Sequence, residues 1–349
     1  MAGAGNKASK ASPQTPSTHW AQIGESSFVA GMWLLYQIHR LLGRWLFLLC
    51  LYPVVSYYWL SRPLARRSSL DYLQRMQQAH GLWPQPPGWR ASLRHFRVFA
   101  QVILDKILAI AGRYPASRVQ VLGQQAVMDL IARGQGAVFI TAHMGCIELS
   151  QVLAEQRAGL RLNVLVHTRH AQQFNRMLAR LSPGSQVRFL QVKEFNAATA
   201  ILLAERVSAG EFIAIAGDRV PVHAGNTAQA PFLGAQAAFP TGPYVMAALL
   251  KCPLLLMTCT HAGDGYALQI ETLASQVLLP RAGREQALAQ YAARYAAALE
   301  ARLRSAPWDW FNFFPFWAQA NAPQPVTPLA QAQKSSPHDP ERSTHADPL

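Results

Sequence analysis

The stretch "GAVFITAHMGCIELS", residues 136–150, decides the fold. An uncharged run from Ala137 to Ala142 stops at His143, Gly145 follows, and the spacing then turns helical with Glu148 in the first turn. A short apolar run rich in Val, Ile and Phe that ends in turn residues reads as a buried strand feeding a helix. Three more runs have the same form: "LNVLVHTRH" (162–170), "EFIAIAGDR" (211–219) and "CPLLLMTCTH" (252–261). The stretches between the first three are helical in period. Buried strands alternating with helices predict an α/β fold whose sheet is largely parallel and flanked by helices. Sheets of that kind bind ligands beyond the carboxyl ends of their strands. Here those ends carry His143, then His167, Arg169 and His170, then Asp218 and Arg219, then His261. Four successive strand ends with ionisable side chains form a stronger signal than any one of them.

The first end offers a specific chemistry. In a continuous helix, five residues separate two side chains by about 140°, and His143 and Glu148 would diverge. If His143 ends the strand and Gly145 makes the turn, Glu148 falls at the helix start and can bend back to the imidazole. A carboxylate there would fix the histidine tautomer and stabilise the imidazolium, giving a general base suited to a substrate hydroxyl. The helix N-terminus favours the ionised acid. The alternative is a strand-end histidine with a purely structural hydrogen bond. Cys146 lies between the two, and a thiol at a helix N-terminus can be activated. Three residues after the histidine is an awkward place for a nucleophile, and packing under the loop is the simpler reading.

Outward from this core, residues 68–133 are basic and mostly helical in period, broken by "LWPQPPGW". In "RASLRHFRVFAQVILDKILAIAGR" an amphipathic helix carries Arg90, Arg94, Arg97 and Lys106. Upstream, Trp45 to Leu60 holds no charge and approaches the ~17–25 apolar residues that span a bilayer. Basic residues flank both ends, Arg40 and Arg44 before it and Arg62, Arg66 and Arg67 after it, and no orientation follows. Pro53 is expected to kink this helix. A helix dipping into one leaflet fits as well as a true span, and a buried core helix is the lesser alternative. The predicted organisation is a disordered tail over 1–26, a membrane-anchoring helix over 27–67, one domain over 68–318, and a disordered Pro-, Gln- and Ser-rich tail over 319–349. Within the domain, 68–133 is the basic helical part and 134–318 the α/β core.

Composition agrees with a chain that buries a large core, since half of its 349 residues are apolar. The net charge of +14 is uneven: residues 1–142 hold 15 Lys and Arg against 4 Asp and Glu, and the remainder holds 17 against 14. A basic first part suits an anionic membrane surface, an acidic carrier protein or nucleic acid. No nucleic-acid recognition motif accompanies it, and that reading ranks last. Cys50, Cys146, Cys252 and Cys259 lie in apolar stretches without metal or disulfide spacing, as expected of reduced thiols. No signal peptide is evident. The segment "FLGAQAAFPTGP" matches neither a P-loop nor a dinucleotide fingerprint. The closing "PWDWFNFFPFW" has seven aromatics in eleven residues and is read either as an interfacial or groove-closing element or as a cap on the core.

The residues carry a resemblance. "HMGCIE" matches the His-x4-Asp/Glu signature of glycerolipid-type acyltransferases. Its setting resembles the bacterial lipid A late acyltransferases (lauroyl/myristoyl transferases), including relatives from aryl-polyene clusters. The resemblance rests on "LLGRWLFLLCLYPVVSYYWL", "VHTRHAQQFNRML", "GDRVPVHAGNTAQAPFLGAQAAFPTGP" and "WDWFNFFPFW", and runs from near Gly31 to near Trp317. It implies a glycerolipid-acyltransferase-like fold on an N-terminal anchor at the cytoplasmic face of a bacterial inner membrane. The implied activity moves a fatty or polyene acyl chain from a thioester, on acyl carrier protein or CoA, to a hydroxyl of a lipid or glycan. It implies His143 as base and Glu148 as its orienting partner. Arg169 and Asn175 fall where the family places polar substrate contacts, and Asp218 and Arg219, at the third strand end, are read either as further substrate contacts or as a structural salt bridge with each other or a neighbour. The family tends to an Asp-rich turn where this chain reads Gly-Asp-Arg, a departure that bears on the acceptor. A thioester is already activated, and no metal or bound cofactor is required. The alternative from another class is a non-catalytic membrane-bound protein that binds lipid or a partner on the same fold.

Overall fold

The computed structural model describes residues 26–150, 160–166, 187–191, 197–220 and 226–318. The two tails expected to be disordered lie outside these residues, apart from Ser26, and so do His167, Arg169, His170 and Asn175.

Three helices open the chain: α1 (Ser26–Ser61), α2 (Pro63–His80) and α3 (Trp89–Ile110). Then follow β1 (Val119–Leu122), α4 (Gln125–Ala132), β2 (Val138–Thr141), β3 (Leu162–Val166), β4 (Val187–Gln191), α5 (Ala197–Ser208) and β5 (Phe212–Ala216). The hairpin β6 (Thr227–Phe232) and β7 (Ala235–Pro240) leads to α6 (Gly242–Leu249), β8 (Leu254–Ala262), β9 (Gly265–Ala274) and α7 (Arg284–Ser305). The sheet order is β1-β9-β8-β2-β5-β3-β4, and the hairpin stands apart from it. Every pairing in the seven-stranded sheet is parallel except β8–β9. The fold is therefore mixed α/β with a largely parallel sheet, and β2, with strands on both sides and helices over both faces, is buried at all four positions.

Alternation along the strands sorts side chains to two faces. One face carries Val138, Ile140, Ile213, Leu254 and Leu256 and packs against α2, α5, α6, α7 and the hairpin. The other carries Phe139, Phe212, Ala214, Leu255, Met257 and Cys259 under α3 and α4. Phe139 and Phe212 stack there, centroids 5.4 Å apart.

The N-terminal segment is helical, but the expected kink at Pro53 is not where the backbone breaks. Non-helical dihedrals fall at Gly43, with φ 78° and ψ 179°, a conformation open to glycine and strained for other residues. Pro53 stays within the helix. Phe47, Leu51 and Val55 bury against Phe96, Leu104, Ile107 and Leu108 of α3. Leu41, Leu49, Tyr57 and Leu60 are exposed. Among the described residues no helix is long and apolar enough to cross a membrane.

A relay of polar contacts ties these helices to the end of the chain. Trp59 donates to Ser92, Ser92 to Ser69, and Ser69 bonds His95 Nδ1, whose Nε2–H donates to the Trp310 carbonyl at 2.9 Å. Burial pushes the His95 pKa down to about 3, and the ring is a neutral structural histidine.

Candidate active site

The site forms where β2, β5 and β8 end. Past Thr141 the chain leaves β2, and at Gly145, with φ +47°, it turns against β8, because any Cβ there would overlap the Cys259 carbonyl oxygen. The Cys146 N–H donates to that carbonyl at 3.1 Å. The other side of the turn is held by the segment around Trp310: Met144 and Trp310 form an antiparallel bridge, Gly145 N–H donates to the Asp309 carbonyl, and Phe311 N–H donates to the His143 carbonyl. The aromatic run near residue 310 is therefore both a cap on the core and a wall of the site.

His143 does not take Glu148 as its partner. Its Nδ1 lies 2.7 Å from Asp218 Oδ1, and its main-chain N–H donates to Asp218 Oδ2 at 2.9 Å. Asp218, expected to contact substrate, is instead fully buried at the end of β5. The Oδ2 atom also accepts from Trp310 Nε1 at 3.0 Å and Asn312 Nδ2 at 2.9 Å. Burial alone would raise its pKa, but His143 and Arg219 outweigh that and hold the carboxyl well below its usual range. An ionised Asp218 requires the proton on His143 Nδ1, which leaves Nε2 as the outward, lone-pair-bearing atom of the neutral ring. Burial and the charge of Arg219 lower the His143 pKa below its ordinary value against the pull of Asp218. The ring is thus mostly unprotonated at neutral pH, and its side chain is 36% exposed. This geometry suits a general base.

Glu148 turns the other way, onto Lys106 of α3, with Oε1 2.8 Å from Nζ. Its backbone lies in a short 3-10 turn, Ile147–Leu149, not in a full helical turn that would swing it toward the ring. Burial opposes the charge on Lys106, but Glu148 prevails and raises its pKa. Cys146 is buried beside this pair, and burial followed by the Glu148 charge pushes its thiol well above the ordinary range, which keeps it neutral and unreactive. Arg219 donates from Nε to Asn312 Oδ1 at 2.8 Å and from a terminal nitrogen to the Phe311 carbonyl at 3.1 Å. Asn312 therefore bridges Asp218 and Arg219 through one amide. Arg169 and Asn175 lie outside the described residues.

Sequence reasoning missed Lys106, Trp310 and Asn312 as parts of this site. Lys106 had only its place on an amphipathic helix to recommend it. Trp310 and Asn312 sat inside an aromatic cluster whose composition spoke of packing and said nothing of a buried carboxylate.

With this arrangement in view, the comparisons with known proteins bear directly on it. No curated protein matches the chain. The family model for bacterial lipid A biosynthesis acyltransferases matches residues 94–319, a span that includes most of α3, the whole sheet and the Trp310 segment. The chain belongs to the bacterial lipid A biosynthesis acyltransferase family.

Proposed function

We propose that the protein is a membrane-associated O-acyltransferase that moves a fatty or polyene acyl chain from an acyl-carrier-protein or CoA thioester to a hydroxyl of a lipid or glycan. The observation that carries this reading is the His143–Asp218 pair at the carboxyl edge of the sheet, with Nδ1 held and Nε2 left for substrate. His143 Nε2 accepts the proton of the acceptor hydroxyl as its oxygen attacks the thioester carbonyl. The C–O bond forms, the C–S bond breaks, and the departing thiolate takes the proton back from the imidazolium. Asp218 keeps the tautomer and offsets the positive charge that the ring acquires. Lys106 and Arg219 both act electrostatically on the ring and would favour negative charge developing on the thioester oxygen. Arg169 and Asn175 are proposed as further substrate contacts after β3. No bound cofactor enters this scheme; the thioester is a co-substrate.

The membrane belongs to the same reading. The exposed apolar face of α1, with Arg40 and Arg62 near it, fits a helix lying in the interface of an anionic leaflet, at the cytoplasmic face of a bacterial inner membrane. Acyl carrier protein, an acidic partner in this proposal, suits the basic composition of residues 1–142.

The test is transfer of labelled acyl groups from acyl carrier protein to extracted membrane lipid by the purified full-length chain. His143→Ala is expected to lower the rate at least about 10³-fold while the folded signal by circular dichroism is retained. Saturable lipid binding without turnover by the parent would favour a non-catalytic binding protein.

A further inference from the structure

The sheet edge carries a second copy of the same device. His261, at the end of β8, donates its main-chain N–H to Asp309 Oδ2, and its Nδ1 lies 2.7 Å from Asp309 Oδ1. The chelating pattern is that of His143 on Asp218, the carboxylate is again almost fully buried, and the imidazole is again about one third exposed, at 35%. Tyr266 lies against the ring, centroids 4.4 Å apart, and its hydroxyl donates to Asp105 of α3, the neighbour of Lys106. Among the described residues Nε2 of His261, like Nε2 of His143, has no hydrogen-bond partner given by the geometry.

The two rings share a place. Strands β2 and β8 are parallel neighbours, with Val138 beside Leu254 and Ile140 beside Leu256. Beyond Thr141 the turn carries two extra residues: the Val138 N–H on the Pro253 carbonyl would bring Met144 N–H to the Cys259 carbonyl, and Cys146 N–H takes that place. Cys146 N–H on the Cys259 carbonyl and Gly145 N–H on the Asp309 carbonyl keep the turn after β2 against β8 over this stretch. Both histidines follow the alternation of Phe139 and of Leu255, Met257 and Cys259, and so lie on the α3 side of the sheet. Asp309 joins the two turns: its carbonyl accepts from Gly145 N–H, two residues past His143, and its carboxylate holds His261. Asp309, which holds the second ring, is one residue from Trp310 and three from Asn312, which hold the first carboxylate.

We propose that His261 is a substrate-contacting residue that binds a second hydroxyl of the acceptor at Nε2, and that the acceptor is accordingly a polyol. This rests on the acyl-transfer reading and narrows its acceptor class. One hydroxyl of the polyol faces His143 and is acylated. A neighbouring hydroxyl donates a hydrogen bond to His261 and fixes which oxygen is presented. Two imidazoles at neighbouring strand ends, whose carboxylates are tied to the one segment 309–312, are suitably placed for two oxygens on one glycerol or sugar unit.

The experiment uses the full-length protein with decanoyl–acyl carrier protein and two matched acceptors. One is 1-O-octylglycerol; the other is 3-octyloxypropan-1-ol, which has the same chain and terminal hydroxyl and lacks the second hydroxyl. The parent is expected to favour the diol about tenfold in kcat/KM, the worth of one well-placed hydrogen bond. His261→Ala is expected to abolish that preference and to leave transfer to the mono-alcohol within about twofold. His261→Gln, which keeps a hydrogen-bonding head without the ring, is expected to retain part of it, and it serves if the alanine variant is poorly folded. A parent without preference, or with transfer to neither acceptor, overturns the proposal. So does a His261→Ala defect equal for both acceptors or confined to the KM of the thioester. His143→Ala in the same assay tests the underlying reading separately, because it is expected to stop transfer to both.

Discussion

Strand β5 is bounded by two buried carboxylates, Glu211 before it and Asp218 after it, and the two ends do different work. Both acids are almost inaccessible, and both are held ionised below their usual range. Glu211 is surrounded by groups that keep their protons: Asn163 Nδ2 at 2.9 Å, and Arg161 and Arg206 at 3.4 Å. Its charge is spent on holding the sheet's amino edge together. Asp218 hands its charge to an imidazole, a group that gains and loses a proton near neutral pH. The difference teaches that burial and a depressed pKa do not by themselves mark a catalytic acid. The identity of the partner does.

This contrast can be broken or sharpened by substitution. Asp218→Asn removes the acceptor for Nδ1 and for the His143 main-chain N–H, and acyl transfer is expected to fall about 10²–10³-fold in steady-state assays. Asn312→Ala leaves Asp218 and Arg219 each one partner short; a drop of about tenfold in kcat is expected, with little change in KM for either substrate. Glu148 calls for a double-mutant cycle with Lys106. If Glu148 acts by holding Lys106, the cost of Glu148→Gln, about tenfold, is expected to vanish in a Lys106→Met background. A cost that persists there would return Glu148 to the imidazole. The smallest effect on activity is expected at the other end of β5. Glu211→Gln should leave turnover within about twofold yet lower stability by about 2 kcal/mol at neutral pH in urea unfolding. Because the folded Glu211 pKa is depressed, its contribution is present above the unfolded value near ~4.3 and is lost as pH falls through the folded one; the variant should show a flatter loss of stability on acidification.

How much of this was legible in the residues follows from how local each signal is. The strands that begin at Val138, Phe212 and Leu254 open on continuous apolar runs, and the one that begins at Leu162 is broken only by Asn163; central parallel strands have no exposed face to disguise them. Strands β6 and β7 carry Pro231, Pro240 and several small residues, and β9 follows β8 after only two residues; none has so plain a run. His143, Asp218, Arg219 and His261 were all visible as polar residues at strand ends. The pairing among them was not. Sequence proximity favoured Glu148, five residues from His143, whereas the hydrogen bond spans 75 residues because β2 and β5 are adjacent in the sheet and end together. That adjacency is a property of the sheet order, and no local pattern encodes it. The Trp310 segment illustrates the same limit: its aromatics announced a core, while its indole N–H and the neighbouring Asn312 amide found their roles only against a carboxylate 92 and 94 residues upstream.

The most direct measurement is the pH dependence of kcat/KM for acyl transfer by the parent and by Asp218→Asn. The parent is expected to show an acid limb whose midpoint lies below the ordinary histidine value of about 6.5, with a plateau at neutral pH. In Asp218→Asn the carboxylate that favours the imidazolium is gone; the limb should move to lower pH and the plateau should fall about 10²–10³-fold. A variant whose limb and plateau both coincide with those of the parent would contradict the pairing on which the account rests.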